Sequence, residues 1–96
     1  MTEFTRILPG EVRHKDGWSV YYRGRSLVVY ELGPDMGEMG LEHGPDSDTL
    51  YPDTLHWTRP EEREATEAER DLITSRIVAA MRFMSAKGVD LHAGRA

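Results

Sequence analysis

The sequence predicts a single α+β domain over residues 1–96, in which a small antiparallel β-meander of about four to six short strands packs against one long C-terminal amphipathic helix. Short runs rich in β-branched and aromatic residues, separated by glycine turns, fill residues 3–57. An apolar pattern with helical spacing follows at 67–87. A chain of 96 residues has room for one hydrophobic core, which argues for one domain.

Turn dipeptides divide the first part of the predicted meander. Residues 4–8 form the first predicted strand, which ends at a Pro-Gly pair because proline fixes φ and glycine frees it. Residues 11–15 and 18–22 are separated by Asp16 and Gly17. This pair favours a hairpin with a type I′ turn, in which both central residues have positive φ.

The strands that follow are less regular. Residues 26–32 combine β-branched and aromatic side chains and are predicted to form the central strand. Residues 36–43 are predicted to form an edge strand, because their glycines lower strand stability. The composition predicts a loop over 44–53 and a short extended segment over 54–57.

The helix has the clearest boundaries. Thr66 and Glu69 fit a capping box, in which each side chain accepts a hydrogen bond from the backbone N–H of the other residue. Lys87 suits the negative end of the helix dipole, and Gly88 suits a left-handed cap. The predicted helix therefore ends at Lys87, and the alternation beyond it predicts a last short strand at 89–92.

One face of the predicted helix is apolar and is expected to cover the sheet. Its side chains are Leu72, Ile73, Ile77, Ala80, Met81, Phe83 and Met84. Arg76 lies within this stripe, so its guanidinium must meet a carboxylate, contact the sheet backbone or extend to solvent. A structural role is the main interpretation, and a functional role is the alternative.

Composition excludes several function classes. The chain has no cysteine, which excludes disulfides, thiolate metal ligands and a cysteine nucleophile. Its net charge of −5 disfavours binding to nucleic acid, whose phosphates need clustered cations. No apolar run suits a signal peptide or a membrane span. We therefore expect a cytoplasmic protein that binds neither nucleic acid nor membranes.

No sequence pattern indicates a catalytic, cofactor or metal site. The four histidines are not spaced as metal ligands are on a strand or a helix. No serine occupies the strand-to-helix elbow of hydrolases, and the glycines between residues 33 and 44 do not open a helix as in a phosphate-binding loop. We therefore predict a non-catalytic protein without cofactor or metal.

One stretch of the chain carries only negative charge. From Leu27 to Thr58 there is no Lys or Arg, whereas seven acidic residues fall there. Such a stretch suits docking onto a basic protein surface, and a merely solvated surface is the alternative. Strand alternation also exposes Tyr21, and tyrosine often anchors interfaces. The predicted contact residues are Tyr21, Glu31, Asp35, Glu38, Glu42, Asp46 and Asp48.

The C-terminal half has a tryptophan shortly before a proline, a capped helix with an arginine and spaced isoleucines, and an aromatic residue followed by a glycine that opens a short strand. These features lie at residues 55–60, 67–70, Ile73, Ile77, Met81, Phe83, Gly88 and Val89. The pattern resembles bacterial immunity protein family 74, and residues 18–32 resemble the paired strands of that family. The resemblance implies a protein encoded beside a toxin, which binds and neutralises that toxin inside the cell. A basic toxin domain would be a fitting protein partner.

Two other functions are alternatives. The strand at 26–32 or the predicted edge at 36–43 could pair across a two-fold axis, which would make the protein a self-associating, homodimeric structural or regulatory domain. A small-ligand carrier or an enzyme would need an enclosed pocket with converging polar groups. A core of this size rarely provides one.

Overall fold

The computed structural model describes residues 3–85 and 87–92, which form eight strands and one helix. In chain order these are β1 (Phe4–Leu8), β2 (Glu11–His14), β3 (Ser19–Arg23), β4 (Leu27–Leu32), β5 (Asp35–His43), β6 (Ser47–Arg59), β7 (Arg63–Glu64), α1 (Glu67–Met84) and β8 (Gly88–Leu91). Strands β1 to β7 neighbour one another in chain order and are antiparallel, and β8 pairs in parallel with β6. The α+β class is as predicted, but the sheet has more strands than predicted.

The first hairpin forms where the turn dipeptide predicted it, but its turn is not type I′. Gly17 has a φ of 103°, whereas no non-glycine residue in the described part of the chain has positive φ, Asp16 included. The Gly17 N–H donates to the His14 carbonyl at 2.9 Å, and the His14 N–H donates to the Trp18 carbonyl at 2.7 Å. This is a three-residue loop closed by a glycine bulge, so glycine alone provides the unusual φ.

The strand predicted at 36–43 is present as β5, but its predicted edge position and most of the loop predicted at 44–53 are wrong. Strand β5 is an interior strand between β4 and β6, and residues 47–53, predicted as loop, belong to β6. Residues 52–55 of β6 bulge opposite Met39 alone. There the Thr54 hydroxyl accepts a hydrogen bond from the Gly40 N–H at 2.7 Å and donates to the Tyr51 carbonyl at 2.6 Å. This bulge lets a strand contain Pro52, which lacks an N–H for the ladder.

The helix begins as predicted and ends earlier than predicted. The capping box of Thr66 and Glu69 is present. The last helical residue is Met84 instead of Lys87, because Ser85 is extended and its hydroxyl accepts a hydrogen bond from the Lys87 N–H at 3.2 Å. Gly88 is not a left-handed cap but the first residue of β8, the short strand predicted at 89–92. In the described part of the chain no helix has the length and hydropathy to span a membrane.

The core lies between α1 and one face of the sheet. The helix contributes Ile73, Ile77, Ala80 and Met81, and the sheet contributes Val12, Trp18, Val20, Val28, Tyr30, Met39, Leu41, Leu50, Leu55 and Trp57. The helix contacts β1 near one end of the sheet and β8 near the other. Leu72 was predicted to join the core but is 51% exposed, because the turn of about 100° from Ile73 carries it past the edge of the buried stripe.

Arg76 contacts aromatic side chains rather than a carboxylate or the sheet backbone. Its guanidinium donates a hydrogen bond to the Tyr30 hydroxyl at 2.5 Å and lies 5.3 Å from the centre of the Trp18 ring. A guanidinium over an indole face is favourable because the ring face carries negative charge. The contacts fit the structural role predicted for Arg76, with different partners.

Candidate functional site

The sheet surface turned away from α1 carries polar side chains around a buried valine. Val29 of β4 is fully buried although it lies outside the core cluster. Its cross-strand neighbours are Tyr21 in β3 and Glu38 in β5, and His56 in β6 continues the row. Side chains at directly paired positions share one face of a sheet. These residues therefore define one surface, hereafter the helix-free face.

Arg23 connects the tyrosine and an acid of the helix-free face. Its guanidinium donates to the Glu38 carboxylate and, at 3.4 Å, to the Tyr21 hydroxyl. The Tyr21 hydroxyl donates to the Glu31 carboxylate at 3.3 Å. Glu38 also lies 3.8 Å from the His56 ring nitrogen Nε2. Mutual hydrogen bonds thus hold these side chains in one arrangement.

Tyr21 is half-buried rather than freely exposed. Burial raises the pKa of its hydroxyl more than the hydrogen bond from Arg23 lowers it, and the nearby Glu31 carboxylate raises it further. A tyrosine with a raised pKa stays protonated at neutral pH. It can therefore keep donating its proton to Glu31.

The structure brings some of the predicted contact residues together and separates others. Those that meet on the helix-free face are Tyr21, Glu31 and Glu38. Glu42 lies farther along β5, where its carboxylate accepts a hydrogen bond from the Tyr51 hydroxyl at 2.9 Å. Asp35 begins β5, and Asp46 lies in the turn before β6. The acidic stretch therefore extends along β4 and β5, where Glu42 lies on the same face as Glu38, and into the turn before β6.

Asp48, the last of the predicted contact residues, is buried and only 3% exposed, unlike a residue of a solvated surface. Its carboxylate is bonded to a His43 ring nitrogen at 3.1 Å and to the Lys87 ammonium at 3.2 Å. Burial acts to raise the pKa of this carboxyl, but the hydrogen bonds to His43 and Lys87 outweigh it and the pKa is lowered. Asp48 thus joins the β5–β6 hairpin to the start of β8.

Sequence reasoning missed Arg23 and His56. Arg23 lies outside the acidic stretch, and its partner Glu38 is 15 residues away along the chain. His56 meets Glu38 because β5 and β6 pair in one particular register. The strand alternation of residues 18–22 was the available signal, since it places Tyr21 and Arg23 on the same face.

Three histidines pair with carboxylates in separate places. His14 contacts Glu3 at 2.8 Å, His43 contacts Asp48, and His56 contacts Glu38. Across residues 3–85 and 87–92 no group of three or more metal-ligating side chains is arranged to hold an ion.

The helix-free face is suited to recognition. Its tyrosine, guanidinium and carboxylates bond to one another, which fixes their positions and presents donors and acceptors in a defined pattern. The chain matches no protein-family model, no curated protein and no solved structure.

Proposed function

We propose that this chain is a non-catalytic protein-binding domain, and that it is an immunity protein that neutralises a cognate toxin by binding it. The observation that carries the binding proposal is the helix-free face, where Tyr21, Glu31 and Glu38 are held by hydrogen bonds on the sheet surface turned away from α1. Side chains that are already ordered lose little conformational entropy when a partner docks. The toxin part of the proposal is supported by the resemblance in the C-terminal half.

The charge of the helix-free face favours a basic partner. Glu38 is neutralised by the guanidinium of Arg23. Glu31 and Glu42 accept hydrogen bonds from tyrosine hydroxyls, which leave their negative charge in place. Complementary potential speeds encounter and fixes the orientation of docking. A basic toxin domain therefore fits this surface.

Titration against the protein encoded by the adjacent reading frame tests the proposal. Replacing Glu31 and Glu42 together by lysine should weaken binding at least tenfold, because two attractive charges become repulsive. The matched control replaces Glu61 and Glu62 by lysine, which makes the same change in net charge in the exposed segment before β7. This control should bind like the wild type.

Two results would contradict the proposal. Equal weakening in both double variants would show that net charge, rather than the helix-free face, governs binding. A partner protein that keeps its toxic activity when bound would refute neutralisation and leave binding intact. Glu38 is left unchanged because a lysine there would be repelled by Arg23. Asp48 is left unchanged because a lysine there would lie in the protein interior.

The edge strand β1 favours self-association as a second candidate. The strands predicted to pair across a two-fold axis, at 26–32 and 36–43, correspond to interior strands β4 and β5, so neither has a free edge. Strand β1 ends the sheet, and its Ile7 and Leu8 are 40% and 58% exposed. Sedimentation over a concentration series should then show a dimer of the wild-type protein, and the Ile7→Lys variant should remain monomeric. A wild-type protein that is monomeric at all concentrations would refute self-association.

A further inference from the structure

A groove with a volume of about 650 Å³ lies between α1, the middle of β6 and the end of β8. Four helix residues at intervals of four line it on one side, and a proline and a leucine line it on the other. These residues are Arg70, Thr74, Val78, Arg82, Pro52 and Leu91. The helical part spans about 18 Å at a rise of about 1.5 Å per residue. The volume falls within the usual range for small-molecule sites.

Two polar atoms of the groove lining lack a hydrogen-bond partner among the described residues. They are the Thr74 hydroxyl oxygen and the Arg70 Nε. Thr74 is 7% exposed, and Arg70 is half-buried. Buried polar atoms nearly always find a partner, because an unbonded one keeps its full desolvation cost. Thr74 and Arg70 lie one helical turn apart, so both residues border the same end of the groove, although these two atoms are themselves shielded from solvent.

The Arg70 guanidinium forms no salt bridge with the described residues. Asp53 and Asp71 also border the groove, but the salt bridges of the described structure include none between either of them and Arg70. A carboxylate is the group that guanidinium geometry matches best. The Arg70 guanidinium is therefore suited to a ligand that carries a carboxylate.

Beyond that end the lining includes apolar side chains as well as Arg82 and His92. Leu91 is 52% exposed and faces a lining that includes Val78 and Pro52. An exposed leucine beside other apolar side chains is stabilised when a hydrocarbon chain covers it. The groove thus combines a charged end with an apolar strip formed by Val78, Pro52 and Leu91.

We propose that this groove binds a medium-chain carboxylate, a hydrocarbon chain with one terminal carboxylate. The carboxylate accepts hydrogen bonds from the Arg70 guanidinium and from the Thr74 hydroxyl, and the hydrocarbon chain lies along Val78 and Leu91. The Thr74 hydroxyl reaches the ligand by rotation about χ1, since threonine in a helix populates two rotamers. This site is separate from the helix-free face and does not depend on the proposed function.

Calorimetric titration with octanoate and octanamide tests the ligand class. Octanoate should bind saturably at millimolar concentrations or below, and octanamide, which has the same chain without the charge, should bind at least tenfold more weakly. Equal affinity for the two would overturn the assignment of a carboxylate. Absence of saturable octanoate binding would overturn the groove as a binding site.

Substitution of Arg70 tests the position of the carboxylate. Arg70→Met keeps most of the side-chain length and removes the charge, so octanoate affinity should fall at least tenfold. Arg13→Met removes the same charge from an exposed position on β2 and should leave affinity unchanged. Equal loss in both variants would overturn the direct contact with Arg70.

Substitution of Thr74 separates a binding role from a packing role. Thr74→Val keeps the side-chain shape and removes an unbonded buried hydroxyl. The free protein should therefore unfold a few degrees higher, while octanoate affinity falls severalfold. A higher unfolding temperature with unchanged affinity would overturn the role of the Thr74 hydroxyl in the site.

Discussion

The side chain of Glu69 connects three elements of the fold. Its carboxylate accepts hydrogen bonds from the Thr66 N–H at 2.9 Å, from two Arg63 nitrogens at 3.1 Å and from the Trp57 indole at 3.1 Å. The hydrogen bonds from Arg63, Thr66 and Trp57 lower the pKa of Glu69 to about 2. One carboxylate thus caps α1 and connects it to β6 and β7. The capping box is local and could be predicted from sequence, whereas the Arg63 and Trp57 contacts depend on how β6 and β7 pack.

We expect Glu69 to make stability depend on pH between about 4.5 and about 2. Its pKa falls from 4.5 to about 2 on folding, so its contribution is fully present above pH 4.5 and is lost as the pH falls through 2. Glu69→Gln should be less stable than the wild type by about 1 kcal/mol at neutral pH. Chemical denaturation at a series of pH values should show this difference shrinking toward pH 2.

Glu67→Gln is the matched control for this prediction, because Glu67 is exposed in the same helical turn. Its stability difference from the wild type should be smaller. A difference between Glu69→Gln and the wild type that stays constant from pH 6 to pH 2 would contradict the role assigned to the ionised carboxylate.

At the scale of elements, β6 departs most from its sequence prediction. Proline and aspartate at positions 52 and 53 are typical of loops, and local composition therefore indicated one. The hydroxyl of Thr54 accepts the Gly40 hydrogen bond that a regular ladder would provide, so the strand continues past the bulge. A side chain that substitutes for a backbone partner leaves no periodic signal in the sequence. The β2–β3 hairpin and α1 were predictable because their signals, a glycine turn and a capping box, are local.

The turn between β5 and β6 should tolerate no side chain at Gly44. A Cβ there would lie 2.5 Å from the Ser47 carbonyl oxygen, which is backbone and cannot move without moving the turn. Gly44→Ala should lower the free energy of unfolding by about 1–3 kcal/mol in urea denaturation. Gly37→Ala is the control, since its Cβ would meet no atom closer than 3.4 Å. Equal stability of the two variants would contradict this account of the turn.

At the scale of the whole molecule, β8 returns the C-terminal part of the chain to the sheet. Its ladder pairs Gly88–Leu91 with the first four residues of β6. Side chains add a hydrogen bond from Ser47 to Asp90 at 2.8 Å and the contact of Lys87 with the buried Asp48. Because β8 itself is half-buried at most, its attachment depends on these polar contacts more than on apolar burial.

Lys87→Met should loosen β8 locally. The substitution leaves Asp48 buried with one donor fewer, which costs more than an exposed ion pair would. Hydrogen exchange should accelerate at the β8 amides and change little at those of β4. Lys15→Met, in the exposed β2–β3 turn, removes the same charge and should leave β8 exchange unchanged. Equal acceleration throughout the sheet would contradict a local role.

The helix-free face and the groove also depend on contacts between elements, which local sequence patterns do not reveal. Tyr21, Glu31 and Glu38 could be predicted as surface residues because alternation and charge are readable from the chain. Their convergence could not, because it follows from the register of two strand pairs, β3 with β4 and β4 with β5. The groove was not predicted at all, since its walls come from β6, α1 and β8 and form only when β8 pairs with the start of β6.

The strands of the meander pair in the order in which the ribosome synthesises them. Each strand from β2 to β7 pairs with the strand that precedes it, so these contacts can form while the chain leaves the ribosome. The ladder between Ser47 and Gly88 joins positions 41 residues apart and must wait until residues 88–91 have been synthesised. Until residues 67–84 emerge, the nascent sheet has an apolar face with no helix over it. Ribosomes that stall before that point would release an aggregation-prone fragment, a natural substrate for chaperones.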